Sequence, residues 1–331
     1  MSTRIPTRNK TGFSEMEQLR QEMVKLLDEA KTHSKKGKVV DYIPELKRMD
    51  PHLLGITVVS TGGKEITAGD VQVRFTLQSI SKVFALTLAI MDRGMDEVFR
   101  HVGMEPSAEP FDSLPPSLFL PLDRPEFREL AKPANPMINS GAIVVSSLIK
   151  GRTAQEKLER LLRLVRVISG NPTIRVNEHV YASEKKASER NWAIAYLLRE
   201  QGFLKENVEE VLDLYFMQCA IEASCRDLAY MATCLANGGT VWGLSKPVIP
   251  REIVRVLTAL MVTCGMYNAS GEFAARVGIP AKSGVSGAIM AFVPGKYGVG
   301  IIGPAIDKKG NSVAGTHLLA SCVNRWGWSL F

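Results

Sequence analysis

The chain has 331 residues, 45% apolar and 23% charged, with a net charge of +7. Those proportions exclude wholesale disorder and collagen-like repeats, and leave room for one large domain or two small ones. The basic excess raises the question of an anionic partner without establishing one, no apolar run reaches membrane-spanning length, and five cysteines do not make a disulfide framework.

Residues 1–12 read as an arm, without the apolar core region of an export signal. Phe13 to His33 reads as an amphipathic helix, with Met16, Leu19, Met23, Leu26, Leu27 and Ala30 at helical spacing. Residues 53–77 carry a hairpin signature: the arms LLGITVVS and DVQVRFTL around the turn TGGKEI. Ser79 to Arg93 predicts a helix ended by Gly94, and helical patterns continue through about residue 280. The clearest is Ala154 to Ile168, whose basic residues Lys157, Arg160, Arg163 and Arg166 read as a solvated or subunit-facing stripe. No aromatic residues interleave there, so nucleic acid is not expected as a partner. GAIMAFVPG and YGVGIIGPAI predict a second hairpin, and NSVAGTHLLASCVNRW a closing helix. Strands at both ends and helices between them predict an α/β (α+β) class. One antiparallel sheet is flanked by terminal helices, with a helical lobe inserted.

A hydroxyl attacks an amide poorly unless a base removes its proton, and a lysine serves if burial lowers its pKa. Ser-x-x-Lys at a helix start sets both groups on one face and aims the serine N–H at an oxyanion. The motif occurs at Ser79/Lys82, Ser147/Lys150 and Ser183/Lys186. Ser79 alone follows a predicted strand and opens a predicted helix. Lys282-Ser283-Gly284 matches the edge-strand element of penicillin-recognising enzymes. Ser169-Gly170-Asn171 reads as ordinary helix capping. On these motifs alone, any Ser–Lys hydrolase remains open, including one acting on β-lactams or peptides. A basic nucleic-acid-binding protein on a hydrolase fold remains the non-enzymatic alternative. The scattered histidines offer no metal spacing, and the Gly-rich strings follow no phosphate-loop pattern. Cys264 is the one thiol worth testing for reactivity. Glu184 stands in a charge run with Lys185, Lys186, Glu189 and Arg190, ordinarily a solvated surface.

Longer strings carry a resemblance: DYIPEL (41–46), FTLQSISK (75–82), NPMINSGA (135–142), YASEKKASERN (181–191), LYFMQCA (214–220), TCGMYNASGEFA (263–274), AKSGVSG (281–287) and GPAIDKKGNSVAG (303–315). In this order they resemble the serine-dependent glutaminases, whose catalytic domain is similar to the serine β-lactamase fold. The resemblance implies hydrolysis of L-glutamine to L-glutamate and ammonia through a serine acyl-enzyme, with no metal or organic cofactor. It implies Ser79 as nucleophile, Lys82 as its base, and Tyr267 and Tyr42 in proton transfer. Asn139, Glu184, Asn191, Tyr215 and the backbone of Val285 match substrate-contacting positions, while Asn135 is the poorer candidate because Pro136 follows it and restricts its backbone. It further implies a catalytic domain over 40–331 behind an N-terminal arm and helix at 1–39 and a homo-oligomer (dimer or tetramer), while the unpaired cysteines and the lack of an export signal or spanning run point to a cytoplasmic location away from membranes.

Overall fold

In a computed structural model of the chain, residues 15–114, 116–120 and 131–331 are described. The arm expected over 1–12, the first two residues of the expected first helix, and part of the Pro-rich stretch lie outside them.

Helix α1 spans Glu15–Lys31, and the short α2, Pro44–Lys47, opens on a proline whose missing N–H would be unpaired there anyway. Strands β1 (Gly55–Ser60) and β2 (Glu65–Gly69) form the first hairpin, with Gly63 at φ 79° in its turn. The second arm is therefore Glu65–Gly69 and not DVQVRFTL as expected. The ladder closes at Gly55↔Gly69, where Gly69 takes φ 73° and Asp70 Oδ2 accepts the Leu54 N–H at 2.9 Å. Only Phe75–Thr76 of the DVQVRFTL run stays a strand, β3.

The inserted lobe follows, in order α3 (Ser81–Arg93), α4 (Met95–His101), α5 (Asn139–Leu148), α6 (Ala154–Ser169), α7 (Glu178–Ala187), α8 (Glu189–Glu200) and α9 (Val208–Cys219). After β4 (Glu222–Ala223) come α10 (Cys225–Ala236), α11 (Arg251–Cys264) and α12 (Ser270–Arg276). Strands β5 (Ala281–Ser283), β6 (Ala288–Val293) and β7 (Tyr297–Ile302) precede the closing α13 (Val313–Trp326). The main sheet is antiparallel in the order β2-β1-β7-β6-β5, so strands from both chain ends meet at β1–β7, while β3 pairs with β4.

Helices α1 and α13 cover one face, burying Met23, Leu27, Ala30, Leu318, Leu319 and Cys322 against Ile56, Val58, Val299 and Ile301. Helix α10 lies on the other face, fixed at its start by a capping box between Ser224 and Asp227. It comes close because β7 presents Gly298 and Gly300 on one side, two residues apart. A Cβ at Gly300 would lie 2.1 Å from Cys225 O, and one at Gly298 2.2 Å from Thr233 N.

The basic stripe on α6 is not simply solvated. Arg160 Nη1 donates to Asp92 Oδ2 of α3 at 2.6 Å, and the buried Lys157 pairs with Glu206. Burying such charges requires partners, and these tie α6 to its neighbours. Ser169-Gly170-Asn171 is a helix end as expected, with Gly170 at φ 66°. No single helix among the described residues is long and apolar enough to cross a membrane. Helix α11 meets that test only together with Tyr267–Arg276, as a pair bent by 83°.

The α10–β7 contact has a direct test. Gly300→Val drives a branched side chain into the helix backbone and is expected to destabilise the protein by about 2 kcal/mol or more in urea unfolding. A variant as stable as wild type would show that α10 does not rest on this strand.

Candidate active site

The site starts at a sharp turn between β3 and α3. Leu77 N–H donates to Ile221 O at 2.8 Å, and Gln78 then takes φ 49°. That left-handed conformation costs a non-glycine residue roughly 1 kcal/mol or more and persists only when the surroundings hold it. Ser81 Oγ donates to Gln78 O at 2.8 Å, while Gln78 Nε2 donates to Thr76 Oγ1 at 3.2 Å and Glu184 Oε1 at 2.5 Å. A Cβ at Gly284 would lie 2.7 Å from Leu77 O, so the end of β5 presses on the same turn. Ser79 sits in the middle of the 3₁₀ turn Gln78–Ile80, buried, two residues before the first residue of α3.

Lys82 is on the first turn of α3 and only 1% exposed. Its Nζ donates to Asn139 Oδ1 at 2.7 Å and to Met137 O at 3.1 Å. Burial draws its pKa down to about 8, opposed by the nearby Cys219, Asp112 and Glu184. Two acceptors leave one of the three ammonium donors unassigned. Asn139 opens α5, anchored by its own N–H on Phe111 O at 2.8 Å. Its Nδ2 donates to Asn191 Oδ1 at 2.9 Å. Lys82, Asn139 and Asn191 thus form one hydrogen-bonded chain across α3, α5 and α8.

Glu184 is not part of a solvated face. It is buried inside the lobe, while its neighbour Lys185 pairs outward with Asp213. Burial raises the Glu184 pKa to about 7, and the Gln78 hydrogen bond and the Lys82 charge pull it down. Tyr215, on α9, is buried, and its hydroxyl is pushed well above the usual range by burial and then by Cys219 and Glu184.

Tyr267 opens a second 3₁₀ turn, at φ 52° and buried. Burial raises its pKa, and Ser79 acts in the opposite sense, yet its hydroxyl makes no full hydrogen bond within the protein. Its ring lies 4.3 Å from the Phe111 ring and has Lys282 Nζ 4.3 Å from its centroid. Val285, in the β5–β6 turn, packs in one cluster with Tyr267, Ile43 and Ala220. Tyr42 stands at the rim, 56% exposed; the surrounding protein and then Glu184 raise its hydroxyl pKa.

The structure therefore gathers the residues singled out in the sequence around Ser79, with Tyr42 as the exposed member. A neighbouring cavity of about 240 Å³ shares Phe111 and Tyr267 with the site but is not lined by Ser79, Lys82 or Glu184. The other Ser-x-x-Lys pairs fall away: Ser147 Oγ bonds back to Val144 O at 2.7 Å, and Ser183 lies within α7. Asn135 is occupied structurally, accepting from Met137 N–H at 3.0 Å and donating to Glu105 O at 2.8 Å. Burial raises the Cys264 thiol, which argues against reactivity. Among the described residues, no three His, Cys, Asp or Glu side chains converge as a metal site would need. Sequence reasoning missed Gln78, whose role depends on a turn conformation that no residue type announces, and Phe111. It noticed Lys282 only as part of Lys-Ser-Gly.

The glutaminase family model matches residues 37–331. A glutaminase of Clostridium tetani is 47% identical over 306 residues, 92% of this chain and 97% of its own. One of Clostridium botulinum is 50% identical over 295 residues, 89% and 94% of the two chains. Among solved structures, a probable glutaminase of Bacillus subtilis complexed with 6-diazo-5-oxo-L-norleucine matches with a TM-score of 0.85, at 37% identity and covering 100% of both chains. The covalent complex of the Bacillus subtilis glutaminase with 5-oxo-L-norleucine, formed by reaction with that diazo compound, matches with a TM-score of 0.84 at 39% identity, covering 94% of this chain and 99% of that one. The architecture is thus the β-lactamase-like one expected.

The buried carboxyl makes a pH-dependent claim. Between the ordinary carboxyl value of 4.5 and about 7, the folded protein holds a proton on Glu184 that the unfolded chain has released. Stability from this group is full below 4.5 and lost as pH rises through 7. Glu184→Gln, which keeps an acceptor for Gln78, is expected to melt higher than wild type at pH 8, by up to about 3 kcal/mol, and to match it near pH 4.5. Equal melting at both pH values would mean that the carboxylate is solvated.

Proposed function

Since this chain belongs to the glutaminase family, we propose that Ser79 is the nucleophile with which it hydrolyses L-glutamine to L-glutamate and ammonia. The observation that carries the assignment is Lys82: three residues after Ser79, buried, and drawn down to about 8, it is a base matched to neutral pH. Lys82 takes the Ser79 proton as Oγ bonds to the side-chain amide carbon. The oxyanion rests on the N–H groups of Ser79 and Val285. The C–N bond then breaks, and the proton passes through Tyr267, with Tyr42 at the rim, to the departing ammonia. Water attacks the glutamyl ester, gives its proton back along the same route, and releases glutamate and free Ser79.

Recognition follows from the zwitterion. The substrate ammonium meets Glu184, whose carboxyl then ionises because the new cation offsets its desolvation. Asn139, Asn191 and Tyr215 supply polar donors for the α-carboxylate. Charge enters the site as a compensated pair, so the +7 of the whole chain is not what draws the substrate. The diazo ketone named with the Bacillus subtilis neighbour supports this chemistry, since it formed a covalent complex with that protein. The same reading keeps residues 40–331 as the catalytic unit and needs no cofactor. The buried, free state of Cys219, Cys225, Cys234, Cys264 and Cys322 supports a reducing cytoplasm.

Ser79→Ala is expected to keep its melting temperature and to lose ammonia release from glutamine by at least about a thousandfold. Wild type, but not the variant, should gain the mass of the 5-oxo-norleucyl group after treatment with 6-diazo-5-oxo-L-norleucine. An active variant, or an adduct mapped elsewhere, would remove Ser79 from its role. We also propose a homo-oligomer, dimer or tetramer, for which light scattering should give two or four times 36.4 kDa. A monomer at micromolar concentration would reject it.

A further inference from the structure

We infer that Lys282 is a positioning residue that holds the Tyr267 hydroxyl in register with Ser79. Lys282 is fully buried, and its Nζ donates to Gly265 O at 3.1 Å and Ser283 O at 2.7 Å. Gly265 stands two residues before Tyr267, and Ser283 two residues before Val285. One buried amino group therefore ties the segment bearing the tyrosine to the strand that leads to the second oxyanion donor. The same Nζ lies 4.3 Å from the centroid of the Tyr267 ring. Burial, and then the nearby Lys82, hold this amino group well below the ordinary lysine range, and a buried N–H donor over an aromatic face restrains the ring without touching its hydroxyl whether or not it carries charge.

The restraint has something to oppose. Tyr267 holds φ 52°, and a non-glycine residue with that backbone conformation stays put only when its surroundings fix it. Ser270 Oγ fixes the backbone, donating to Tyr267 O at 2.8 Å and accepting from Met266 N–H at 3.0 Å. The Phe111 ring packs on the tyrosine ring. The hydroxyl itself makes no full hydrogen bond within the protein, and Ser79 is the side chain that acts on it. The position of its oxygen is therefore set by what grips the ring, and Lys282 and Phe111 grip it. A lysine placed for stability alone would be a poor choice, because its contacts here are carbonyls and a ring, none of which carries a full countercharge.

The inference rests on the reading that Tyr267 relays a proton, and a double-mutant cycle separates the two. Tyr267→Phe should lower kcat; if it does not, the relay reading itself fails. With that step established, Lys282→Met is expected to lower kcat about 10- to 100-fold with KM within about threefold. On the Tyr267→Phe background, Lys282→Met should cost less than about twofold further, since there is no hydroxyl left to position. Lys282→Gln, which keeps a donor but no charge, should fall between wild type and Lys282→Met and takes its place in the cycle if the latter does not fold. Additive losses, an unchanged kcat, or failure of both variants to fold would overturn the proposal and leave Lys282 a structural residue.

Discussion

The site depends on the burial of a lysine at the head of a buried helix. Helix α3 is enclosed over most of its length, and Lys82 enters with it. An ammonium in that position must find acceptors or give up its proton, and it does part of both. Asn139 Oδ1 and Met137 O satisfy two donors, and desolvation moves the remaining equilibrium to about pH 8. The requirement reaches outward. Asn139 can accept from Lys82 only because α5 begins there, and α5 begins there with its first N–H on Phe111 O. The far side of the same asparagine sets Asn191.

A second constraint is the conformation of Gln78. Its positive φ bends the chain from β3 into α3 tightly enough to leave Ser79 at the apex. The side chain that results does not relax away, because it is held by Thr76 and Glu184. The group that holds the Ser79 turn therefore also orients the Glu184 carboxyl. The strained turn and the buried carboxyl share one amide.

Much of this was legible in the sequence, for physical reasons that differ by element. The β1–β2 and β6–β7 hairpins and helices α3, α6 and α13 announce themselves through periodicity and turn glycines, because their apolar faces are buried. The second arm of the first hairpin was misplaced as a whole, at DVQVRFTL instead of Glu65–Gly69, since Gly69 and Asp70 stop the ladder through a backbone conformation and a side-chain cap that alternation does not encode. Glu184 is the sharper case. Its neighbours in sequence are charged, and only the rotation of α7 turns this carboxylate inward while Lys185 faces Asp213. Composition around a residue cannot report which face of a short helix is buried. The longer strings of the family resemblance could, because they carry the whole constellation at once. The glycines of β7, read first as a phosphate-loop question, turned out to admit a helix.

The buried polar atoms without protein partners add a final argument. Among the described residues they include Tyr267 OH, Ser140 Oγ, Ser283 Oγ and Ser286 Oγ, which stand on or next to the segments that carry the site. A folded protein rarely leaves such groups unmatched, since each costs about 1–3 kcal/mol. Others in the same condition, such as Thr57, Gln201 and Thr316, stand elsewhere in the fold, so the one that bears on the site directly is the Tyr267 hydroxyl. Raised Glu184 and lowered Lys82 are the same effect expressed in protons: each is held away from its charged form by a desolvation that a zwitterion could offset. Stability and affinity are thus coupled through the same groups. A substitution that quiets one of them should make the empty protein firmer and the bound state weaker, which is the signature of a site built for a ligand rather than for the fold.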